Sequence, residues 1–491
     1  MKSRDLGPEL NDWIKYIEDK ARSYGLNFPE VCFEKVDYKE MNELASLGGF
    51  PQRYPHWRFG MEYDRISKSY TYGLSKIYEM VINTDPCYAY LLSSNSVVEN
   101  KLVIAHVYGH ADFFKNNQYF SKTNRKMLDE MANHSTLVRQ CQEQFGVEVV
   151  EEFIDQCLSL ENLIDLRSSG ELPKTREEEE KLPEEVQKIK AKSYLDKFIN
   201  TPEFLDQQRA RIEEEAKKEE KIPFRPIRDV LGFLLLHAPL KNWQVKILEM
   251  IREEAYYFVP QGQTKIMNEG WASYWHSHMM TKDILDDSEI VDYACVHSGT
   301  VAPHPHGINP YRVGLELLRN IEDRWNKGRF GKEWLECEDT VKRKNWDLKL
   351  NKGREKLFEV RKIYSDLTFI DEFLSQDFCE ESGLFASKYN QSTKRWEIET
   401  REFQKVRTQF LTELTNFGQP MIEVVDSNFD NKGSLLLKHV FDGRTLKRDF
   451  AELTLKNLFS LWKKSVYIET AGEDGKSQLW GFDGKDFLTR A

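Results

Sequence analysis

Residues 105–114, AHVYGHADFF, place two histidines four positions apart. Because an α-helix has about 3.6 residues per turn, His106 and His110 lie on the same face of a helix, one turn apart. Two imidazoles at this spacing can reach one divalent ion, as they do in helical zinc motifs. The stretch therefore predicts a helix that carries half of a metal site.

The helix face that holds these histidines contains one acidic residue, Glu99, and its other residues are apolar or small. Its other members are Leu102, Val103, Gly109 and Phe113. Buried polar groups without partners are costly, so a cluster of this kind must be closed either by a metal ion or by a hydrogen-bond network. The spacing alone leaves both solutions open.

A second segment, 267–276, reads MNEGWASYWH and supplies a carboxylate and a further imidazole. Glu269 and His276 are seven residues apart, about two helical turns, and therefore share a face. Together with His106 and His110 they form the candidate ligand set for one divalent metal ion. Imidazole and carboxylate ligands suit zinc, iron or manganese, and the spacing does not choose among these metals.

The position at which zinc proteases have their catalytic base, directly after the first histidine of the motif, holds no acidic residue in this chain. The start of the second segment, Asn-Glu-Gly at 268–270, resembles the helix that delivers the glutamate ligand in thermolysin-like zincins. In those enzymes the first motif is His-Glu-x-x-His, and its glutamate activates the metal-bound water. Val107 occupies that position here, so a hydrolytic mechanism needs another base. The candidates are Glu99, on the histidine face, and Glu79.

The composition excludes several classes of protein. Hydrophobic residues make up 40% of the 491 residues, which excludes disorder of the whole chain. The formal net charge of −11 argues against a general nucleic-acid binder, whose surface must be basic. We expect no membrane span and no signal peptide, because residues 1–9 and the rest of the chain lack the required apolar runs. The seven scattered cysteines contain no C-x-x-C pair and predict reduced thiols in a cytoplasmic protein.

Hydrophobic periodicity predicts a mainly α-helical N-terminal region, compatible with a zincin-like helical arrangement of the metal ligands, and a small α+β C-terminal domain. The predicted divisions are a helical core at 1–166 and 227–340, a charged insertion at 167–226, a helical connector at 341–400 and the α+β domain at 401–491. Within the core, the pattern from 61 to 166 is helical. In the C-terminal domain, strands are predicted at 421–425, 434–439, 465–470 and 478–482, with a helix at 448–462.

Several long runs resemble the SpoVR (stage V sporulation protein R) family. These runs are 49–51 (GFP), 58–61 (RFGM), 72–83 (YGLSKIYEMVIN), 106–117 (HVYGHADFFKNN), 268–272 (NEGWA) and 307–311 (GINPY). The resemblance covers most of the chain, including the C-terminal domain. It implies a cytoplasmic protein linked to formation of the spore cortex, a peptidoglycan layer. Relatives in non-sporulating bacteria are often encoded beside a serine protein kinase and a von Willebrand A-type protein, which implies a broader stress-response module.

Two hypotheses about function follow. In the first, the chain is a metal-dependent, hydrolase-like enzyme acting on a peptide- or amide-type substrate such as a cell-wall precursor. In the second, it is a non-catalytic regulatory or scaffold protein that works with the kinase and von Willebrand A-type partners, and the histidine and glutamate cluster is a structural site or a hydrogen-bonded core. The resemblance names a process and not a reaction, so it leaves the substrate and the oligomeric state open.

Overall fold

The computed structural model describes residues 6–71, 76–168, 170–173, 201, 204, 222–223, 225–302, 308–472 and 475–490. The chain divides into two compact units, each built from two separate stretches. The first unit is Met1–Glu143 with Tyr257–Gly418, and the second is Gln144–Tyr256 with Gln419–Ala491. Most of the charged insertion predicted at 167–226 lies outside the described residues.

The described helices are short or of medium length, and none is long and apolar enough to cross a lipid bilayer. In chain order they are α1 Pro8–Ser23, α2 Tyr38–Ser46, α3 Trp57–Thr71, α4 Val97–Asn116, α5 Met127–Phe145, α6 Val147–Leu158, α7 Val230–His237, α8 Asn242–Gln263, α9 Lys265–Met279, α10 Ile290–Thr300, α11 Pro310–Lys327, α12 Gly331–Leu335, α13 Thr340–Lys344, α14 Gly353–Ile363, α15 Asp366–Phe373, α16 Gln376–Ser382, α17 Phe403–Leu414 and α18 Arg448–Trp462.

A three-stranded sheet lies in the first unit, in the order β1-β3-β2. Its strands are β1 Val31–Val36, β2 Glu79–Ile82 and β3 Cys87–Leu92. Strand β3 runs parallel to β1 and antiparallel to β2. The prediction that 61–166 is helical is therefore wrong at β2 and β3. Both strands are short and lie just before α4, and short apolar runs do not distinguish strand from helix by periodicity.

The two faces of β2 pack against different parts of the first unit. Met80 and Ile82 contact a core that contains Met41 and Leu44 of α2. Val81 points the other way, to the core that contains α4. This alternation is the two-residue period of a strand, and it places Glu79 on the same side as α4.

Helices α4, α9 and α11 approach one another closely through small residues. A Cβ atom added at Gly109 of α4 would lie 2.6 Å from the Cα atom of Ala272 in α9. A Cβ atom added at Gly270 of α9 would lie 2.5 Å from the backbone of Gly314 in α11. Only glycine permits such approaches, because it has no Cβ atom. Because the helices pack so closely, the side chains of α4 and α9 that flank these contacts can reach one another.

The predicted helical connector at 341–400 is helical only in its first part. Its last part forms an antiparallel hairpin of β4 Ala386–Asn390 and β5 Arg395–Thr400. The sequence of β5, RWEIET, alternates apolar and charged residues until its last position, which is the period of a strand and not of a helix.

The second unit contains a five-stranded sheet in the order β10-β9-β8-β7-β6. Its strands are β6 Ile422–Phe429, β7 Ser434–His439, β8 Val466–Ala471, β9 Ser477–Phe482 and β10 Phe487–Arg490. Strands β7 and β8 are parallel and are connected through α18, while the other neighbours are antiparallel. The four strands and the helix predicted for the C-terminal domain are confirmed, and β10 was not predicted.

Candidate metal centre

Three side chains from α4 and α9 direct their ligand atoms to one point. One nitrogen each from His106 and His110 and one oxygen from Glu269 lie within 4.8 Å of one another. The Nε2 atoms of the two histidines are each 3.5 Å from Oε2 of Glu269. Around a tetrahedral ion with bonds of about 2.1 Å, neighbouring ligand atoms lie about 3.4 Å apart. The observed separations therefore suit an ion of the size of zinc.

Two of the atoms at this point have no hydrogen-bond partner. Within the described part of the chain, Nε2 of His106 and Oε2 of Glu269 are both buried and unpaired. An unpaired buried polar group costs about 1–3 kcal/mol, and such groups are few in native proteins. A bound cation would satisfy both atoms at once, so the residues fit a divalent metal.

His276, which was predicted as a fourth ligand, lies behind His106 and outside the converging set. The Nδ1 atoms of these two rings are 2.9 Å apart. On its other side, Nε2 of His276 is 3.2 Å from Nδ1 of His297. If Nε2 of His106 binds a metal ion, the ring must carry its proton on Nδ1 and donate it to Nδ1 of His276. A contact of this kind orients a ligand imidazole.

The spacing of His276 from Glu269 explains this placement. Seven residues at about 1.5 Å per residue separate the two side chains by roughly 10 Å along the axis of α9. Glu269 and His276 lie too far apart along α9 to converge on the same ion. The imidazole of His106 occupies the space between them, with one nitrogen facing each.

The imidazole of His110 is held in position by its neighbours. Nδ1 of His110 is 2.9 Å from the side-chain oxygen of Asn268 and donates a hydrogen bond to it. The ring of Phe114 lies parallel to that of His110, at a centroid separation of 6.0 Å. These contacts leave Nε2 of His110 as the nitrogen that faces the ligand point.

The first turn of α9 is held from another helix. The backbone N–H groups of Ile266 and Met267 donate to the carboxylate of Asp366 at 2.7 and 2.9 Å. These are two of the N–H groups that a helix leaves unpaired at its start. Asp366 thus fixes the turn of helix that comes immediately before Glu269.

Burial and neighbouring charges favour the protonation states that metal ligands need. Burial lowers the pKa of the His110 imidazole to about 4, so the ring is neutral near pH 7. Burial raises the pKa of Glu269, but its interactions with His110 and His106 and a hydrogen bond from Tyr311 outweigh burial and hold the pKa below its ordinary value. Neutral imidazole and ionised carboxylate are the forms that bind metals.

Glu79, one of the two predicted bases, faces the ligand set from β2. Burial raises the pKa of its carboxyl group, nearby His106 lowers it, and the negative charge of Glu269 raises it further. The side chain of Glu79 lies on the same side of β2 as Val81, which packs against the core that contains α4.

Glu99, the other predicted base, lies in the first turn of α4 and has partners of its own. Its Oε2 accepts a hydrogen bond from the backbone N–H of Ser96 at 2.7 Å and so completes a capping box. Its Oε1 accepts from Nζ of Lys76 at 2.8 Å. The structure thus places Glu99 at the start of α4, two helical turns before His106.

Tyr311 was not singled out from the sequence, although it belongs to the cluster. Its hydroxyl donates to Glu269, and its ring lies over that of His106 at a centroid separation of 6.0 Å and an angle of 20°. The preceding residues, Asn309 and Pro310, are the N-cap and the first residue of α11. This helix-start signal fixes Tyr311 in the first turn, but it does not indicate which site the side chain reaches.

Comparison with known proteins identifies the family. Residues 6–419 match the family described as SpoVR like protein, and residues 420–473 match the SpoVR-like C-terminal domain. The uncharacterized protein YcgB of Escherichia coli (strain K12) is 28% identical over 505 residues, which span 96% of this chain and 93% of that protein. No solved structure matches the chain significantly. Because the family match extends over most of its length, the chain belongs to the SpoVR family.

Proposed function

We propose that this protein is a metal-dependent hydrolase that acts on a peptide- or amide-type substrate. The observation that carries the proposal is the pair of buried, unpaired ligand atoms, Nε2 of His106 and Oε2 of Glu269, at one point with Nε2 of His110. A divalent metal ion held there would polarise a carbonyl group and lower the pKa of water.

Glu79 is the general base in this proposal. Its carboxylate faces the ligand set and accepts a proton from the attacking water, whose oxygen bonds to the carbonyl carbon. The carbon–nitrogen bond then breaks, and Glu79 returns the proton to the leaving amine. Burial raises the pKa of the Glu79 carboxyl group above that of an exposed one, and a raised pKa makes the carboxylate a stronger base. Glu99 is the second candidate, but its oxygens already bind Ser96 and Lys76.

The substrate class follows from the chemistry together with the family. The resemblance to SpoVR supports a role in forming the spore cortex, and the peptidoglycan of the cortex contains short peptides joined by amide bonds. We therefore propose a cell-wall precursor peptide as the substrate, in a cytoplasmic protein of a stress-response or sporulation module.

Elemental analysis and an activity assay test this proposal. We expect about one metal ion per chain in the wild type, and loss of the metal from a folded His106→Ala/His110→Ala variant. Metal-loaded protein should release amines from muramoyl peptides, as followed by mass spectrometry. Glu79→Gln should keep the metal and lose the activity, whereas Glu99→Gln should keep both. A wild-type protein that holds no metal after purification without chelators would contradict the proposal.

A second candidate function is that of a regulatory or scaffold protein that binds the serine protein kinase or the von Willebrand A-type protein. One observation favours it: Phe450 and Leu453, one helical turn apart on α18, are 61% and 59% exposed. Exposed apolar side chains that share a helix face suit a protein–protein contact. Co-purification with either partner should be lost in Phe450→Ser/Leu453→Ser and kept in His106→Ala/His110→Ala.

A further inference from the structure

Strand β2 has one open edge, and this edge lies beside the candidate metal centre. One side of β2 pairs with β3. In the described parts of the chain no other strand pairs with β2, which is the last strand of its sheet. An open strand edge presents unpaired N–H and C=O groups that another extended chain can bind.

The hydrogen-bond register shows which backbone groups face this edge. The N–H of Leu92, at the end of β3, donates to the C=O of Tyr78 at 3.1 Å. Tyr78 comes immediately before Glu79, the first residue of β2 that pairs with β3. In an antiparallel ladder, hydrogen-bonded pairs alternate with pairs that exchange no hydrogen bond. Starting from Tyr78, the next residues that bond to β3 are Met80 and Ile82. The backbone N–H and C=O groups of Glu79, and of every second residue after it, point away from β3.

Glu79 and Val81 therefore direct their backbone groups to the open edge. Among the described residues, none forms a backbone hydrogen bond with either of them at that edge. Backbone groups in proteins are almost always paired with protein, water or a ligand. The edge thus offers two N–H groups and two C=O groups in the spacing that an added strand requires.

Glu79 joins the open edge to the metal centre. Its main chain faces the edge, while its side chain lies on the face of β2 that packs against the core containing α4. The side of β2 that carries Glu79 also carries Val81, which packs against the core that contains α4, the helix of His106 and His110. A chain that pairs with β2 therefore lies along the strand that faces this helix.

We infer that β2 binds the substrate as an added strand, so that the substrate is an extended peptide-type chain. Its main-chain amides pair with Glu79 and Val81, and one of its carbonyl groups lies at the point defined by His106, His110 and Glu269. This inference rests on the proposed function and specifies its substrate class. In strand addition the hydrogen bonds are made to the main chain of the ligand. The substrate must therefore contain consecutive secondary amides, while the identity of its side chains matters less.

Binding of hydroxamate probes to the zinc-loaded chain tests the inference. Acetohydroxamate reports on the metal centre alone, and N-acetyl-tetraalanine hydroxamate adds an extended backbone. We expect the peptide probe to bind at least about tenfold more tightly, because several hydrogen bonds are added. N-methylation of its amides, one at a time, should weaken binding at alternate positions only, because successive N–H groups of a strand point to opposite sides.

A protein variant tests the same contact from the other side. Val81→Pro removes the N–H group that points to the open edge, and proline is tolerated on an edge strand in that position. Its affinity for the peptide probe should fall about fivefold, as expected for one hydrogen bond, with no change for acetohydroxamate. Val81→Ala is the matched control, because it shortens the side chain and keeps the N–H group.

The outcomes separate the inference from the proposed function. If acetohydroxamate binds and the peptide gains nothing, or if methylation at every position has the same effect, strand addition is wrong and the metal centre stands. If neither probe binds zinc-loaded protein, the proposed function fails and the inference fails with it. Should Val81→Pro not fold, the methylated probes on the wild-type chain decide the question.

Discussion

Helices α4 and α9 carry two buried polar clusters that differ in how their atoms are paired. In the first, both oxygens of Asp112 accept hydrogen bonds from Nη1 of Arg361 at 2.6 Å, and Oδ2 also accepts from Nε1 of Trp271 at 2.8 Å. In the second, Nε2 of His106 and Oε2 of Glu269 face each other across 3.5 Å with no hydrogen-bond partner in the described chain. In the first cluster both carboxylate oxygens are paired with protein donors, and among its described atoms Nε of Arg361 is buried without a partner. In the second cluster the two unpaired atoms, a nitrogen and a carboxylate oxygen, face each other.

This difference separates structural polar groups from functional ones. A buried carboxylate with several donors is complete and holds helices together. A buried imidazole nitrogen and a buried carboxylate oxygen that are left unpaired at one point fit a bound cation. We therefore expect mutations in the first cluster to change the stability of the fold, and mutations in the second to change metal binding.

The largest expected effect is loss of stability in Asp112→Ala. This variant leaves the buried guanidinium of Arg361 without its carboxylate, and breaking a buried ion pair in this way costs about 3–5 kcal/mol. Urea unfolding of the metal-free protein measures it. Asp64→Ala, which breaks an exposed pair with Lys68, is the control and should cost less than about 1 kcal/mol. Equal effects of the two variants would contradict the structural role of Asp112.

Gly109→Ala should weaken both stability and metal binding, because it separates the two helices that carry the ligands. The new Cβ atom would lie 2.6 Å from Cα of Ala272, which is backbone and cannot move aside. Overpacking of this kind costs about 1–3 kcal/mol. Gly60→Ala in α3 is the control, because no atom lies within 4 Å of its added Cβ. A Gly109→Ala variant with unchanged zinc affinity in calorimetry would speak against the close approach of α4 and α9.

His276→Ala should lower metal affinity about 10–100-fold while the fold is kept, because it removes the group that orients His106. A competition titration with a zinc-sensitive dye measures the change. His278→Ala, on the same helix but away from His106, should bind metal as the wild type does. Complete loss of metal in His276→Ala, equal to that in His106→Ala, would instead make His276 a direct ligand.

A further expected effect concerns Asp366 and pH. Burial raises the pKa of its carboxyl group from 3.8 to about 7, against the backbone N–H groups of Ile266 and Met267 that lower it. The folded state therefore holds this proton more tightly than the unfolded state. The stability that it contributes is present below about pH 4 and is lost as the pH rises towards 7. Asp366→Asn should show a shallower decline in unfolding free energy over this window, and an unchanged slope would contradict the raised pKa.

The sequence was sufficient for the elements with a clear period or clear turns. The four-residue spacing of His106 and His110 predicts their shared face, and the structure places both beside Glu269. The strands and the helix of the C-terminal sheet unit were predicted because glycine and aspartate turns mark their ends. Strands β2 and β3 were not predicted, since their short apolar runs give no period that excludes a helix.

The angle at which two helices cross could not be predicted from the spacing of residues in the sequence. Whether His276 is a ligand or supports His106 depends on how α9 lies across α4, and a helical period does not contain that angle. The contact of Tyr311 with Glu269 depends on the packing of α11 against α9 through Gly270 and Gly314. The second unit likewise joins Gln144–Tyr256 to the C-terminal sheet, a tertiary arrangement that no local pattern indicates.

The most direct test of the metal centre is calorimetric titration of zinc into chelator-treated wild-type protein and into Glu269→Gln, which keeps the shape of the side chain and removes its charge. If the converging atoms of His106, His110 and Glu269 form a metal site, the wild type binds one zinc ion per chain and the variant binds it at least about tenfold more weakly. Absence of stoichiometric binding in the wild type, or equal affinity in the folded variant, would contradict the metal centre.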